Sequence, residues 1–301
     1  MIGVVSHDAG GAEVLSSWLR RSVEPYCLVL DGPAKAIFQS KLGDLQSIPL
    51  SEAIEKCDWV LSGTSWQSNL EKQAIHQAQA AGKQVVTFLD HWVNYKERFT
   101  ADGSTVLPDE IWVGDVDAEI IAKEYFPHNL IVLKSNPYFE DLKQELKKIK
   151  IPPVNSQHCT ILYVCEPIRE HALLQHGDER YWGYTEEDAL QFFLKNLNIL
   201  NCDVSKIKIR PHPSEDKRKY DWAKKLSSFN VEINSAKTLL EEISEADVVV
   251  GCESMAMVVA LLAKRRVVST IPLGGKSCSL PHLQIEHLQN LLKIKQTFSH
   301  A

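Results

Sequence analysis

The feature that most restricts this chain is a repeated alternation of short apolar runs with longer amphipathic segments. The runs IGVVS, CLVL, WVLSG, QVVTFLD, EIWVGD and NLIVL occupy the first half, and CTILYVCE, KIKIR, DVVVG and RVVSTIP the second. The segments between them, among them AEVLSSWLRR, NLEKQAIHQAQAAGK, DAEIIAKEYF, EEDALQFFLKNLNIL and MAMVVALLAKRR, carry apolar residues three and four apart, as one face of a helix requires. A chain that alternates strand and helix in this way is expected to be α/β, with parallel, doubly wound sheet.

At 301 residues the chain exceeds the usual size of one domain, so two domains of roughly 150 residues are expected. The charged segment EDLKQELKKIK followed by IPPVNSQ, with its double proline and polar tail, reads as a linker after a helix near residues 150–157. This gives an N-terminal α/β domain over 1–150 and a C-terminal α/β domain over 158–282. The closing stretch 283–301 reads as an amphipathic helix that packs back on the body, although the same pattern fits a membrane surface or a dimer contact. CDWVLSGTS and ADVVVGCES echo one another, each with an acidic residue, a strand, and a glycine and serine leading to a helix. Two similar α/β units facing each other would produce that echo.

A net charge of -6 with 44% hydrophobic and 24% charged residues is ordinary for a soluble globular protein and supplies no global attraction to nucleic acid. Seven cysteines are scattered without a C-x-x-C pair, which points to a reducing compartment and no structural zinc. MIGVVSHDAGG reads as a first strand rather than a signal peptide, and no apolar run has the length of a membrane span. The expectation is a cytoplasmic protein, with peripheral contact at the inner face of the membrane left open.

Open α/β sheets bind ligands beyond the carboxyl ends of their strands, so the chemistry is sought in the loops that follow each run. In SHDAGGAE, Gly10 and Gly11 permit close approach to a ligand, and the next helix offers free amides. The spacing is not G-x-G-x-x-G, so a dinucleotide fingerprint is absent. His7 and Asp8 are acid or base candidates there, against the plainer reading of Asp8 as a helix N-cap. SGTSWQS offers small hydroxyls, Trp66, and Ser68 as a cap. FLDHWVNYKERF places Asp90 and His91 at a strand end before Trp92, Tyr95, Lys96 and Arg98. That set suits a sugar or an anionic acceptor, or equally an aromatic loop packed between domains.

In the second half, CEPIREHALLQHGDERYWGYTEED is a long connection with Glu166 at the strand end, and Tyr184 and Glu187 border the next helix. Thr185 reads as its N-cap with Asp188 completing a capping box. GCESMAM offers Ser254 and neighbouring amides as a phosphate pocket and Glu253 for a ribose diol, with a simple N-cap as the plainer reading of Ser254. KIKIRPHPSED ends a strand at Arg210 and His212, which Pro211 and Pro213 hold extended.

With RPHP and GCES together, residues 159–275 resemble the nucleotide-binding domain of GT-B glycosyltransferases. The likeness is to bacterial sialyltransferases and related capsule enzymes with a His-Pro motif and a downstream serine motif. The resemblance implies two Rossmann-like domains facing a cleft, phosphate contact by His212 and Ser254, a charge from Arg210, no metal, and a CMP-linked donor. That family places an Asp-Gly or Glu-Gly base in its N-terminal domain. Here LDG at Leu30–Gly32 matches only by letters, so Asp8, His7 and Asp90 are preferred as the base.

The expected function is a metal-independent glycosyltransferase using a CMP-, CDP- or UDP-linked sugar, with no further cofactor, in cell-surface polysaccharide or glycolipid synthesis. Its nucleotide or phosphate residues are Arg210, His212, Glu253, Ser254 and Glu166. Its acceptor or sugar residues are Gly10, Gly11, His91, Tyr95, Arg98 and Tyr184. Two other readings stand beside it. One is a nucleotide-sugar epimerase or hydrolase in which His7, Asp8 or Glu166 activates water or abstracts a ring proton. The other is a non-catalytic protein that binds an anionic glycan through Arg210, Lys96 and Arg98.

Overall fold

The computed structural model describes residues 1–65, 68–101, 103–149, 158–216, 218–226, 229–233 and 236–299. The linker expected over 150–157 and Trp66 lie outside the described residues. The chain divides into two compact units, Met1–Asp141 and Leu142–Ala301.

The first unit runs β1 (Ile2–Ser6), α1 (Ala9–Leu19), β2 (Tyr26–Leu30), α2 (Ala34–Leu42), α3 (Leu50–Lys56), β3 (Trp59–Ser62), α4 (Leu70–Ala80), β4 (Gln84–Leu89) and α5 (Tyr95–Phe99). A short hairpin, β5 (Thr100–Ala101) and β6 (Ser104–Thr105), precedes β7 (Glu110–Val113), α6 (Val116–Tyr125), β8 (Leu130–Leu133) and α7 (Pro137–Lys148), which runs past the unit boundary. Six strands form a parallel sheet in the order β2-β1-β3-β4-β7-β8, so the winding reverses between β1 and β3. Its core joins Ile2, Val4, Leu15, Phe38, Leu61, Val86 and Phe88. Each such side chain contributes about 1.5–3 kcal/mol on burial.

The second unit runs β9 (His158–Val164), α8 (Ile168–His176), α9 (Glu186–Lys195), β10 (Asp203–Arg210), α10 (Ala223–Leu226) and β11 (Asn230–Ile233). It continues through α11 (Leu239–Glu245), β12 (Val248–Gly251), α12 (Met255–Leu262), β13 (Arg266–Ser269), β14 (Ile285–His287) and α13 (Leu288–Ser299). Its parallel sheet has the order β11-β10-β9-β12-β13-β14 and reverses between β9 and β12. The long connection after β9 is partly helical: α8 lies within it and stops at Gly177, whose φ of 72° is a left-handed cap. Thr185 and Asp188 form the expected capping box of α9.

The echo between CDWVLSGTS and ADVVVGCES has a positional basis, because β3 and β12 are each the first strand past the reversal of their sheet. The acidic residue before each pins the start of the central strand: the Asp58 amide donates to Met1 O at 2.8 Å, and the Asp247 amide to Thr160 O at 2.8 Å. The helix expected over 283–301 begins only at Leu288, because Ile285–His287 add to the sheet edge beside β13. Arg266 grips Glu286 with two nitrogens at 2.8 and 2.9 Å and fixes that register. Leu288 then enters the core of this unit, with Leu291 and Leu292 packed against it. Among the described residues, no helix is long and apolar enough to cross a membrane.

Candidate functional site

In the first unit, the loops after β1, β3 and β4 converge at the sheet reversal, where an open α/β sheet leaves a crevice. The convergence depends on glycine. A Cβ on Gly11 would lie 3.3 Å from the Gly63 Cα, so α1 begins directly against the loop after β3. A Cβ on Gly10 would lie 2.0 Å from Asp90 Oδ2, which places that carboxylate over the first turn of α1. Gly32, at φ +50°, makes room for the His7 ring, whose Nε2 would be 2.6 Å from a Cβ there. The LDG stretch thus borders His7, while Asp31 itself is exposed and paired with Lys35 at 2.8 Å.

His7 Nδ1 and Asp8 Oδ1 are 2.7 Å apart, and the Ser65 hydroxyl donates to the same Oδ1 at 2.8 Å. Asp8 occupies the N-cap position of α1 but makes no side-chain capping bond, because its carboxylate is committed to His7 and Ser65. The two side chains keep 20% and 19% exposure, so a ligand can reach them.

Asp90 lies deeper. It accepts from the Thr64 hydroxyl at 2.9 Å and pairs with Arg98 Nη1 at 3.2 Å, both charged side chains being 6% exposed. Arg98 also donates to Thr64 Oγ1 at 2.7 Å and to Val93 O at 3.0 Å. Its guanidinium is therefore the buried counter-ion of Asp90, which corrects the expectation of a surface cation for a sugar or anionic glycan. Tyr95 is likewise corrected to a core residue: it is buried, stacked on Phe126, with its hydroxyl 3.5 Å from Ala118 O. His91 accepts the Trp92 amide at Nδ1, 3.0 Å away, and meets the Trp92 ring edge-on.

One residue escaped the reading of the sequence. Glu71, in the first turn of α4, is 2% exposed, and its Oε1 accepts the His7 amide at 2.7 Å. Its Oε2 is buried without a hydrogen-bond partner among the described residues. Burial pushes the carboxyl up to about 7, opposed by its own amide and that of His7 and assisted by the charge of Asp8. The signal was present: Glu71, Ala74, Ile75 and Ala78 form the buried stripe of α4 at helical spacing. An acid in the first turn of a helix ordinarily reads as a complement to the helix dipole, which conceals its burial.

In the second unit, the loops after β9 and β12 flank the reversal. Glu166 joins them, its Oε1 accepting the amides of Cys252 at 3.2 Å and Glu253 at 2.8 Å. Desolvation raises its carboxyl to about 7, with the two amides opposing and the Glu253 charge assisting. Glu253 pairs with Lys276 and accepts the Ser279 amide at 3.1 Å and hydroxyl at 2.8 Å. Lys276 in turn lies 4.2 Å over the Trp182 ring. Ser254 caps α12, accepting the Ala256 amide at 3.2 Å. Several groups expected to face a phosphate and ribose are thus already engaged by the protein itself. Tyr184 is fully buried, its ring against Gly275 and its hydroxyl without a partner among the described residues.

His212 follows β10, next to β9 in the sheet. Its amide donates to Glu215 Oε2 at 2.8 Å, and its Nδ1 lies 2.8 Å from the Ser214 hydroxyl and 3.3 Å from the Ser214 amide. Acceptance of that amide places the ring proton on Nε2. Burial holds His212 below the ordinary imidazole value, and it does the same to His171 of α8, where the His212 charge adds to the effect. Arg210 turns away from this group: it pairs with the buried Glu242 of α11 at 2.5 Å and donates to Lys237 O at 3.1 Å. The charge expected from Arg210 for a phosphate is therefore neutralised within the fold.

The structure thus gathers His7, Asp8, Gly10, Gly11 and Asp90 in one unit and Glu166, Glu253 and Ser254 in the other, with Arg210 and Tyr95 in structural roles. Among the described residues, no group of three or more His, Cys, Asp or Glu side chains is arranged to hold a metal ion. No protein-family model matches the chain, and no curated protein does. Solved structures do match. The UDP-GlcNAc 2-epimerase of Methanocaldococcus jannaschii is 12% identical, with a TM-score of 0.63 over 98% of this chain and 91% of that one. The enzyme of Neisseria meningitidis bound to UDP-GlcNAc is 12% identical, with 0.62 over 99% and 91%. S. aureus MnaA with UDP is 12% identical, with 0.64 over 100% and 88%. This likeness establishes the fold, a GT-B-like chain of two α/β units each built on a parallel six-stranded sheet.

Proposed function

We propose that the protein is an enzyme acting on a nucleotide sugar and that it converts the sugar without an acceptor, as an epimerase or hydrolase does. The observation that carries this reading is the His7–Asp8 pair, hydrogen-bonded at 2.7 Å, partly exposed, and held at the sheet reversal beside the buried Asp90–Arg98 pair. An imidazole and a carboxylate so arranged can take a proton from a ligand and return one. Removal of a proton from a saturated ring carbon requires that its electron pair expel a leaving group. A nucleoside diphosphate on the neighbouring anomeric carbon is such a group; to give the epimer it adds back to that carbon as a proton returns to the other face of the ring, and in the hydrolase form water displaces it with no ring proton lost. Within the second unit, taken by itself, His212, Ser254 and the first turn of α12 are groups suited to a nucleotide phosphate. The fold neighbours support a UDP-linked substrate, since they include UDP-GlcNAc 2-epimerases studied with UDP-GlcNAc and UDP.

A glycosyltransferase is the second reading, favoured by the RPHP and GCES motifs, with the same pair taking the proton of an acceptor hydroxyl. In either case the product would enter cell-surface polysaccharide or glycolipid synthesis, on the cytoplasmic side of the membrane. Arg98 and Arg210, two of the three cations on which binding of an anionic glycan would rest beside Lys96, are already paired with Asp90 and Glu242, which weighs against that reading. The test is incubation with UDP-GlcNAc in the absence of any acceptor, followed by NMR of the sugar ring. Appearance of an epimer or free sugar supports the first reading, and dependence on an added acceptor supports the second.

A further inference from the structure

Glu71 makes no ion pair among the described residues, yet a carboxyl is retained where an amide would serve the fold as well. A glutamine at this position would accept the same bond from the His7 amide and would carry no charge into a buried site. Beyond its own amide, its carboxylate bonds the amide of a residue 64 positions away, just after β1, where the acid–base pair begins. The oxygen not used in that bond is buried and without a partner among the described residues. Departures of this kind from an economical interior concentrate at functional sites.

We propose that Glu71 is a positioning residue for the His7–Asp8 pair, fixing the main chain at His7 from the buried side and coupling its own protonation to the pair. The proposal rests on the reading of that pair as the acid–base group. The charged groups facing Glu71 are few. From the loop after β1 come His7 and Asp8, the one lowering and the other raising its carboxyl. From its own helix comes Lys72, which turns back to Ser68 O and Asn69 Oδ1, each at 3.2 Å. From the loop after β4, Asp90 is neutralised by Arg98. Burial brings the Glu71 carboxyl to about 7, so both of its forms are populated at neutral pH. The ionised form grips the His7 amide more strongly and repels Asp8, and the protonated form relaxes both effects.

The test uses the full-length protein and two readouts. In the first, amide resonances of His7 and Asp8 are followed by NMR against pH without ligand. Measured in His7→Gln, where the imidazole does not contribute, the amide of position 7 should show a midpoint of about 7, and adding Glu71→Gln should abolish it while leaving the remaining spectrum in place. In the second, turnover of a UDP-sugar is measured against pH. Glu71→Ala, which releases the His7 main chain, should lower kcat about 100-fold with KM within about twofold. Glu71→Gln should recover most of kcat and lose the inflection near neutral pH. An amide midpoint that survives Glu71→Gln, or wild-type kcat in folded Glu71→Ala, overturns the proposal. Absence of turnover in the wild type refutes the functional reading alone, and the amide titration then judges Glu71 by itself.

Discussion

Replacing Glu71 by glutamine exchanges an ionisable oxygen for an amide nitrogen in a buried site, and its effect on stability should depend steeply on pH. The folded-state value is raised from the ordinary 4.5 to about 7, so the native protein prefers the protonated carboxyl. The stability this group contributes is fully present below about 4.5 and is lost as pH rises through about 7. At roughly 1.4 kcal/mol per pH unit, the difference between the two ends is about 3 kcal/mol. The glutamine variant has no proton to lose. It should match the wild type near pH 4.5 and exceed it by about 3 kcal/mol above pH 8. Urea unfolding followed by tryptophan fluorescence is a suitable assay, because Trp18, Trp59 and Trp112 pack within about 6.5 Å of one another in this unit. A stability difference that stays constant from pH 5 to pH 8.5 would refute the reasoning, since it would mean that Glu71 titrates alike in the folded and unfolded chain.

Three other substitutions probe the sites. Gly10→Ala drives a methyl group into Asp90 Oδ2, 2.0 Å from the Cβ position; turnover should fall about 100-fold while unfolding free energy drops by less than about 2 kcal/mol. Arg98→Met strands the buried Asp90 carboxylate and should cost about 3–5 kcal/mol in urea unfolding, part of which Asp90→Asn in the same chain restores. Tyr184→Phe removes a buried hydroxyl that has no partner among the described residues, so the unliganded protein should gain up to about 1 kcal/mol.

The fold was legible because its signal is local. A run such as DVVVG can be recognised as a strand without knowledge of its neighbours, and the strand and helix order then dictates parallel sheets with ligand loops at their carboxyl ends. The close approach at the glycines of SHDAGGAE and the helix start at Ser254 were readable for the same reason, since both are decided within a few residues. What failed was pairing at a distance. Arg210 looked like a charge for a ligand because nothing near it in the chain reveals Glu242, 32 residues on. Arg98 and Asp90 are only eight residues apart, but the fold that buries both cannot be inferred from that spacing. The start of α13 was misplaced because Ile285–His287 satisfies a helical period as well as a strand, and only the vacant edge of β13 decides between them.

The most direct test of the central claim is to incubate the protein with UDP-GlcNAc in deuterated water, with no acceptor, and follow the sugar ring by NMR. An acceptor-independent enzyme of the epimerase type should introduce deuterium at a ring carbon next to the anomeric centre and form the epimer, with both signals lost in Asp8→Asn and His7→Ala. Release of free sugar with no ring exchange would assign the hydrolase form. A UDP-sugar that stays unlabelled and uncleaved until an acceptor hydroxyl is supplied would contradict the claim.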